Sequence, residues 1–135
     1  MKQRLRVYVA GAYSADNVLD VLTNMRRGIA LSVQVWQEGF APFCPWLDFQ
    51  FGLLTEATIE DYYEYSMAWL EASHAVLVQP LGAKASKGTQ AEIARAKELE
   101  IPVFTDFGKL RAWAKHLPYE SFPPFTLSEK WDNSK

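Results

Sequence analysis

Apolar residues fall in short blocks along the chain, and between the blocks they recur every three or four positions. Residues 5–10 (LRVYVA), 40–44 (FAPFC), 75–78 (AVLV) and 101–105 (IPVFT) read as strands. Pro42 and Pro45 place the second of these near an edge of its sheet or cut it short. The strongest helical period follows the first strand: Val18, Leu22, Met25, Ile29, Val33 and Trp36 recur on one stripe, with a cap expected at Asp16 or Asn17 and a stop at Gly39. A second helix over 58–72 aligns Ile59, Tyr63, Ser66 and Leu70, with acidic residues at its start, where the helix dipole favours them. Ser66 lies among apolar positions there, so its hydroxyl is expected to be buried and hydrogen-bonded. Helices over 89–100 and 108–117 complete the pattern, the last aligning Leu110, Trp113 and Leu117. Strand and helix alternate throughout. That alternation predicts right-handed crossovers and an α/β fold of flavodoxin- or Rossmann-like type, a mainly parallel sheet of four to five strands with helices on both faces.

A chain of 135 residues with 49% hydrophobic content is long enough for one real core. Residues 1–117 are expected to form that domain. Residues 118–135, with Tyr119, Phe122, Phe125, Trp131 and three prolines, form an arm expected to lie across its own surface or a neighbouring subunit. The net charge of −2 and the scattered lysines and arginines give no stripe for polymeric nucleic acid. A single cysteine, Cys44, allows no internal disulfide and completes no zinc pattern. No apolar run approaches a membrane span and no signal-type segment opens the chain, so a cytoplasmic protein without a membrane partner is expected. No G-x-G-x-x-G follows the first strand, so neither a metal nor a flavin or nicotinamide cofactor is called for. A small-molecule partner remains.

The candidate chemistry gathers in residues 75–96, AVLVQPLGAKASKGTQAEIARA, which read as strand, loop and helix start. Ligands of open α/β sheets bind where strands end and helices begin, because helix N-termini offer unpaired N–H groups and partial positive charge. Ser86, Gly88 and Glu92 sit at that place. Two readings of Glu92 stand. It is a carboxylate set in the cleft for chemistry, or it closes a capping box, since Thr89-Gln90-Ala91-Glu92 fits T-x-x-E. The loop 82–88, with Lys84 and Lys87, suits a 5′-phosphate or is a solvated surface turn. Trp46, Phe49 and Phe51 around Asp48 line a pocket for a flat ring or form a lid over the core.

Tyr8-Val9-Ala10-Gly11, Gly39-Phe40-Ala41-Pro42 and Ser86-Lys87-Gly88-Thr89 with Glu92 together resemble the nucleoside 2-deoxyribosyltransferase superfamily. Trp69-Leu70 before the third strand and Ile101-Pro102-Val103 after the third helix add to the likeness. It is nearest to the small branch with nucleoside 5′-monophosphate N-glycoside hydrolases and phage-type members. The resemblance implies that Glu92 is a nucleophile attacking the anomeric carbon, that Tyr8 positions it, and that Gly11 turns beside the ligand. It further implies Ser86 on phosphate or sugar oxygens and a homodimer or higher homo-oligomer as the assembly. Apart from the resemblance, Tyr13, Trp46 and Phe49 are aromatics expected to stack on the base, and Ser14, Ser66 and Gly88 complete the expected substrate contacts. Two positions depart from the pattern: Ser66 stands where the superfamily has an aspartate, and Ala12 where it has a proline. Asp48, Asp61 and Glu64 are the acids that can replace the missing one, Asp48 first. The resemblance therefore implies an N-glycosidase of a nucleoside or nucleotide, hydrolysing or transferring the glycosyl group. The departure at Ser66 gives the alternative, a nucleotide-binding or sequestering protein of the same fold. A third reading is an interaction module that uses its aromatic arm.

Overall fold

The computed structural model describes residues 4–80 and 86–118. In chain order these form β1 (Arg6–Ala10), α1 (Val18–Gln37), β2 (Ala41–Phe43), a 3₁₀ segment (Pro45–Leu53), α2 (Ile59–Glu71), β3 (Ala75–Val78), α3 (Lys87–Glu98), β4 (Val103–Phe104) and α4 (Phe107–Ala114). The four strands of the described residues make one sheet in the order β2-β1-β3-β4, parallel at every step. Tyr8 of β1 lies level with Phe43 on one side and Val76 on the other. Each parallel step needs a crossover, and the helices supply it. The expected alternation is therefore present, with β2 and β4 shorter than their apolar runs. Pro42 has no N–H to give a ladder, and β2 indeed takes an edge of the sheet.

Helices cover both faces. Leu5, Val7, Val9, Ala75 and Leu77 point to one side, where Val35 of α1, Trp46 of the 3₁₀ segment and Leu110 of α4 close a core. Tyr8, Ala10, Val76 and Val78 point to the other, against Leu70 of α2 and Ala96 of α3. β1 from Val7 onward and all of β3 are buried on both sides, which is why these stretches run apolar without a gap.

Helix α1 begins at Asn17, whose side chain accepts from Asp20 N, and Gly39, at φ 98°, turns the chain out of the helix. Its buried stripe is Gly28, Ser32 and Val35. Of the expected stripe, Met25 and Ile29 pack against the core, while Val18, Leu22 and Trp36 are exposed and the deepest positions lie beside it. The physical reason is Trp46. A Cβ on Gly28 would lie 2.2 Å from the indole Cδ2, so the one helix position without a side chain is turned inward to admit the ring. Ser32, carried inward beside it, donates its hydroxyl to Gly28 O at 2.8 Å.

Candidate active site

The strand order changes direction between β1 and β3, and a crevice opens at the C-terminal ends of strands at such a switch. Gly11 and Gln79 follow those ends. A Cβ on Gly11 would stand 2.7 Å from Gln79 Oε1, the end of a flexible side chain, and 3.2 Å from Trp46 Cζ2, so glycine gives the three their close packing. The β1–α1 loop is tied down from several sides. Trp46 Nε1 donates to Ala12 O at 3.0 Å, and Asn24 Nδ2 donates to Tyr13 O at 3.2 Å. The Tyr13 hydroxyl donates to Asp48 Oδ1 at 2.9 Å. Asp48 is buried, and burial raises its carboxyl above the usual range while the Tyr13 bond opposes that rise. Burial, then the bond to Asp48, holds the Tyr13 phenol above its ordinary value as well.

Across the sheet from Trp46, Tyr8 is wholly buried and points between α2 and α3. Glu92 of α3 and Ser66 of α2 are the polar side chains that bear most on its hydroxyl, with Asp48 contributing least. None meets it in hydrogen-bonding geometry, so Tyr8 Oη and Glu92 Oε2 are both buried and unpartnered. Native interiors rarely leave such groups unpaired. Burial pushes the Glu92 carboxyl up to about 8, against the lowering influence of the Tyr8 hydroxyl. Tyr8 itself is raised, by burial first and then by the Glu92 charge. Tyr63 of α2 is raised by burial and also lies within the field of Glu92. The Tyr8 ring stacks on Phe43 at 5.4 Å, and Phe43 stacks on Trp69 at 5.5 Å, a row of faces running from the core to the surface.

At the start of α3 the capping-box reading of Glu92 gives way. The N-cap is Ser86, whose Oγ accepts from Thr89 N at 3.2 Å and shares a 2.9 Å hydrogen bond with the Thr89 hydroxyl. Thr89 is thus inside the helix, and Glu92, a turn further on, cannot fold back on its cap. Among the described residues a capping box is at α2, where Thr58 and Asp61 bond each other's backbone N–H groups.

The sequence-derived candidates thus separate into groups. Tyr8, Ser66 and Glu92 come together between α2 and α3. Tyr13 and Asp48 form a bonded pair, and Gly11 and Trp46 support the loop that carries Tyr13. Trp46, expected as a ring for stacking, is 1% exposed with its N–H engaged, which makes it a core residue. Phe49 and Phe51 are the exposed aromatics of its segment. Ser14 is exposed, and an added Cβ at Gly88 meets nothing within 4 Å. Lys84 and the arm beyond Pro118 lie outside the described residues. Gly28, Phe43 and Gln79 were not among the candidates. A lone glycine inside a long helical period and a glutamine closing an apolar strand were the available signals. Among the described residues no group of three His, Cys, Asp or Glu could hold a metal ion, and no helix is long and apolar enough to cross a membrane.

A family described as a domain of unknown function, DUF7768, matches residues 5–106. The chain belongs to the DUF7768 family. The matched stretch contains every element from β1 to β4 and ends on Asp106, the N-cap of α4. No curated sequence matches the chain. The DUF7768 fold seen here is similar to that of a 2-deoxyribosyltransferase from the psychrotolerant bacterium Bacillus psychrosaccharolyticus, at a TM-score of 0.53 and 14% identity, over 90% of this chain and 99% of that one. At that identity the likeness is one of fold: a four-stranded parallel α/β sheet of flavodoxin-like type.

Proposed function

We propose that this protein is an N-glycosidase that cleaves, or transfers across, the base–sugar bond of a nucleoside or nucleoside 5′-monophosphate. The observation that carries the reading is the buried Glu92 carboxyl facing the buried Tyr8 hydroxyl, each with an unpartnered oxygen. Breaking an N-glycosidic bond passes through an oxocarbenium-like state that needs negative charge beneath the anomeric carbon. Glu92 is the group to supply it as nucleophile, and Tyr8, which faces it, is the donor that would orient one of its oxygens with substrate in place. Asp48 is the other buried carboxyl; burial raises it, but its bond to Tyr13 and its weak bearing on Tyr8 set it apart from Glu92. The likeness of fold to a 2-deoxyribosyltransferase supports a nucleoside as the ligand class. The exposed Val18, Leu19 and Leu22 of α1 support a homo-oligomer.

One observation favours a second reading. Ser66, not an acid, stands beside Tyr8, and a hydroxyl is too weak an acid to protonate a departing base. A cleft that binds a nucleotide without turning it over has the same geometry. Release of free base from a panel of ribo- and deoxyribonucleosides and their 5′-monophosphates separates the two. Turnover by the wild type, with a loss of at least about a hundredfold in Glu92→Ala, is expected. Ligand-induced stabilisation with no product from any member supports the binding protein instead.

A further inference from the structure

Glu92 Oε2 is buried with no hydrogen-bond partner. Burial and the Tyr8 hydroxyl are what bear on its carboxyl, and burial and Tyr13 are what bear on Asp48. Arg95 is paired with Glu71 and Glu98, and Arg111 with Glu38. What surrounds the two carboxyls is phenolic: Tyr8, Tyr13 and Tyr63, with the stacked faces of Phe43 and Trp69 beside Tyr8. Carboxyl groups buried among aromatic rings form the environment that favours a positively charged ligand. Ser66 points the same way. A neutral base must gain a proton as it leaves, and neither Ser66 nor the raised Tyr8 phenol can give one; Asp48 is already engaged by Tyr13 and bears least on Tyr8. A base that is already cationic needs no proton.

We infer that the preferred substrate is an N-glycoside whose base carries a positive charge, a ring quaternised at or conjugated to the nitrogen that bears the sugar. The inference rests on the glycosidase reading and narrows it. In the step, a Glu92 oxygen bonds to the anomeric carbon, and the C–N bond electrons return to the ring nitrogen, discharging its positive charge. The neutral base departs without a proton. Water then cleaves the glycosyl ester, giving the free sugar, the Glu92 carboxylate and one proton. The charge also settles the state of the nucleophile. A carboxyl pushed up to about 8 is mostly protonated at pH 7, and a cation bound beside it favours ionisation. Substrate and nucleophile are thereby matched, because the ligand that needs no acid is the one that delivers the carboxylate.

The test uses matched pairs. Guanosine 5′-monophosphate and 7-methylguanosine 5′-monophosphate differ by one methyl group and one charge. For each, kcat/KM of the full chain is divided by the rate of uncatalysed base loss, which removes the intrinsic lability of the methylated base. The expected ratio favours the cation by at least about a hundredfold and collapses in Glu92→Gln. Binding gives an independent readout: 1-methylnicotinamide should bind more tightly than nicotinamide at pH 7 and release close to one proton, read by calorimetry in buffers of different ionisation enthalpy. Equal acceleration of both nucleotides overturns the inference and leaves the glycosidase reading standing. Cleavage of neither, with binding that ignores charge and releases no proton, overturns both.

Discussion

β1 serves two faces of the sheet, and they are built on opposite terms. Val7 and Val9 face α1 and α4, where buried polar groups are paired: Trp46 N–H on Ala12 O and Ser32 Oγ on Gly28 O. Tyr8, between those two valines, faces α2 and α3, where its own hydroxyl and a Glu92 oxygen lie buried without partners. Each such group costs about 1–3 kcal/mol relative to a paired one. The first face is a frame. The second concentrates unsatisfied polarity at one spot, and a molecule that bonded to Tyr8 and Glu92 there would recover what folding leaves unmet.

The largest effect is expected on the frame. Gly28→Ala puts a Cβ 2.2 Å from the Trp46 ring, which cannot retreat without pulling its N–H from Ala12 O and its edge from Gly11. A loss of more than about 3 kcal/mol is expected, read as a fall in the urea midpoint at unchanged slope. Gly88→Ala is the comparison, because its Cβ meets nothing within 4 Å and lies in a helix. That change should stabilise by up to about 1 kcal/mol. Equal behaviour of the two variants would break the distinction between frame and cleft.

The next effect belongs to Glu92 and depends on pH. Its folded pKa, about 8, lies above that of an ordinary glutamate, so between the two values the native protein holds a proton that the unfolded chain has released. Stability therefore falls as pH rises from about 4.5 to 8 and levels off above, by an amount on the order of a few kcal/mol. Glu92→Gln should remove that slope. Denaturant titrations of both proteins at pH 4.5, 6.5 and 8.5 isolate the contribution as a difference, and parallel curves would mean that the carboxyl is not held neutral by the fold. Turnover has the opposite sign. With a neutral substrate it should rise through about pH 8 as Glu92 ionises, and with a cationic one it should already be high at pH 7.

Tyr8→Phe sharpens the comparison from the other side. The hydroxyl it removes is buried and meets no partner in good hydrogen-bonding geometry, so the variant is expected to be as stable as the parent or slightly more so. Base release should nevertheless drop by about ten- to a hundredfold, since the nucleophile loses its orienting donor. Loss of stability in parallel with loss of turnover would identify Tyr8 as one more piece of the frame.

These contrasts also explain what could be read from the chain and what could not. Short apolar blocks alternating with stretches of period 3.6 carry the architecture locally, so the parallel sheet, the bounds of β3 and the Asn17 cap were legible. The inward face of α1 was legible in part, at Met25 and Ile29; its deepest positions, Gly28, Ser32 and Val35, were not, because they are decided by Trp46, a residue of another element that fits only over Gly28. The α3 cap failed for a different reason. Hydroxyls at Ser86 and Thr89 suit the same local pattern, and only the position of the first helical turn tells them apart. Of the candidate site, the residue types were legible, and the pairing was not. Nothing local joins Tyr13 to Asp48, or Tyr8 to Ser66 and Glu92; those meetings are made by strand order and crossover.

The smallest effect is expected at Ser86, where a cap and a ligand contact make different demands on one hydroxyl. Ser86 Oγ accepts from Thr89 N and shares a hydrogen bond with the Thr89 hydroxyl, which is buried in the first turn of α3. As a cap alone, Ser86→Ala should cost about 1 kcal/mol of stability and lower turnover of a nucleoside and its 5′-monophosphate by the same small factor, since the helix carrying Glu92 loosens for both. As a phosphate contact it should raise KM for the monophosphate about tenfold and leave the nucleoside nearly unchanged, because a hydrogen bond to a charged oxygen contributes about 1.5–3 kcal/mol. Ser86→Thr keeps an oxygen in the cap and restores stability in either case, so only the ratio of the two KM values decides. A ratio that stays at the parental value would place phosphate recognition away from the start of α3.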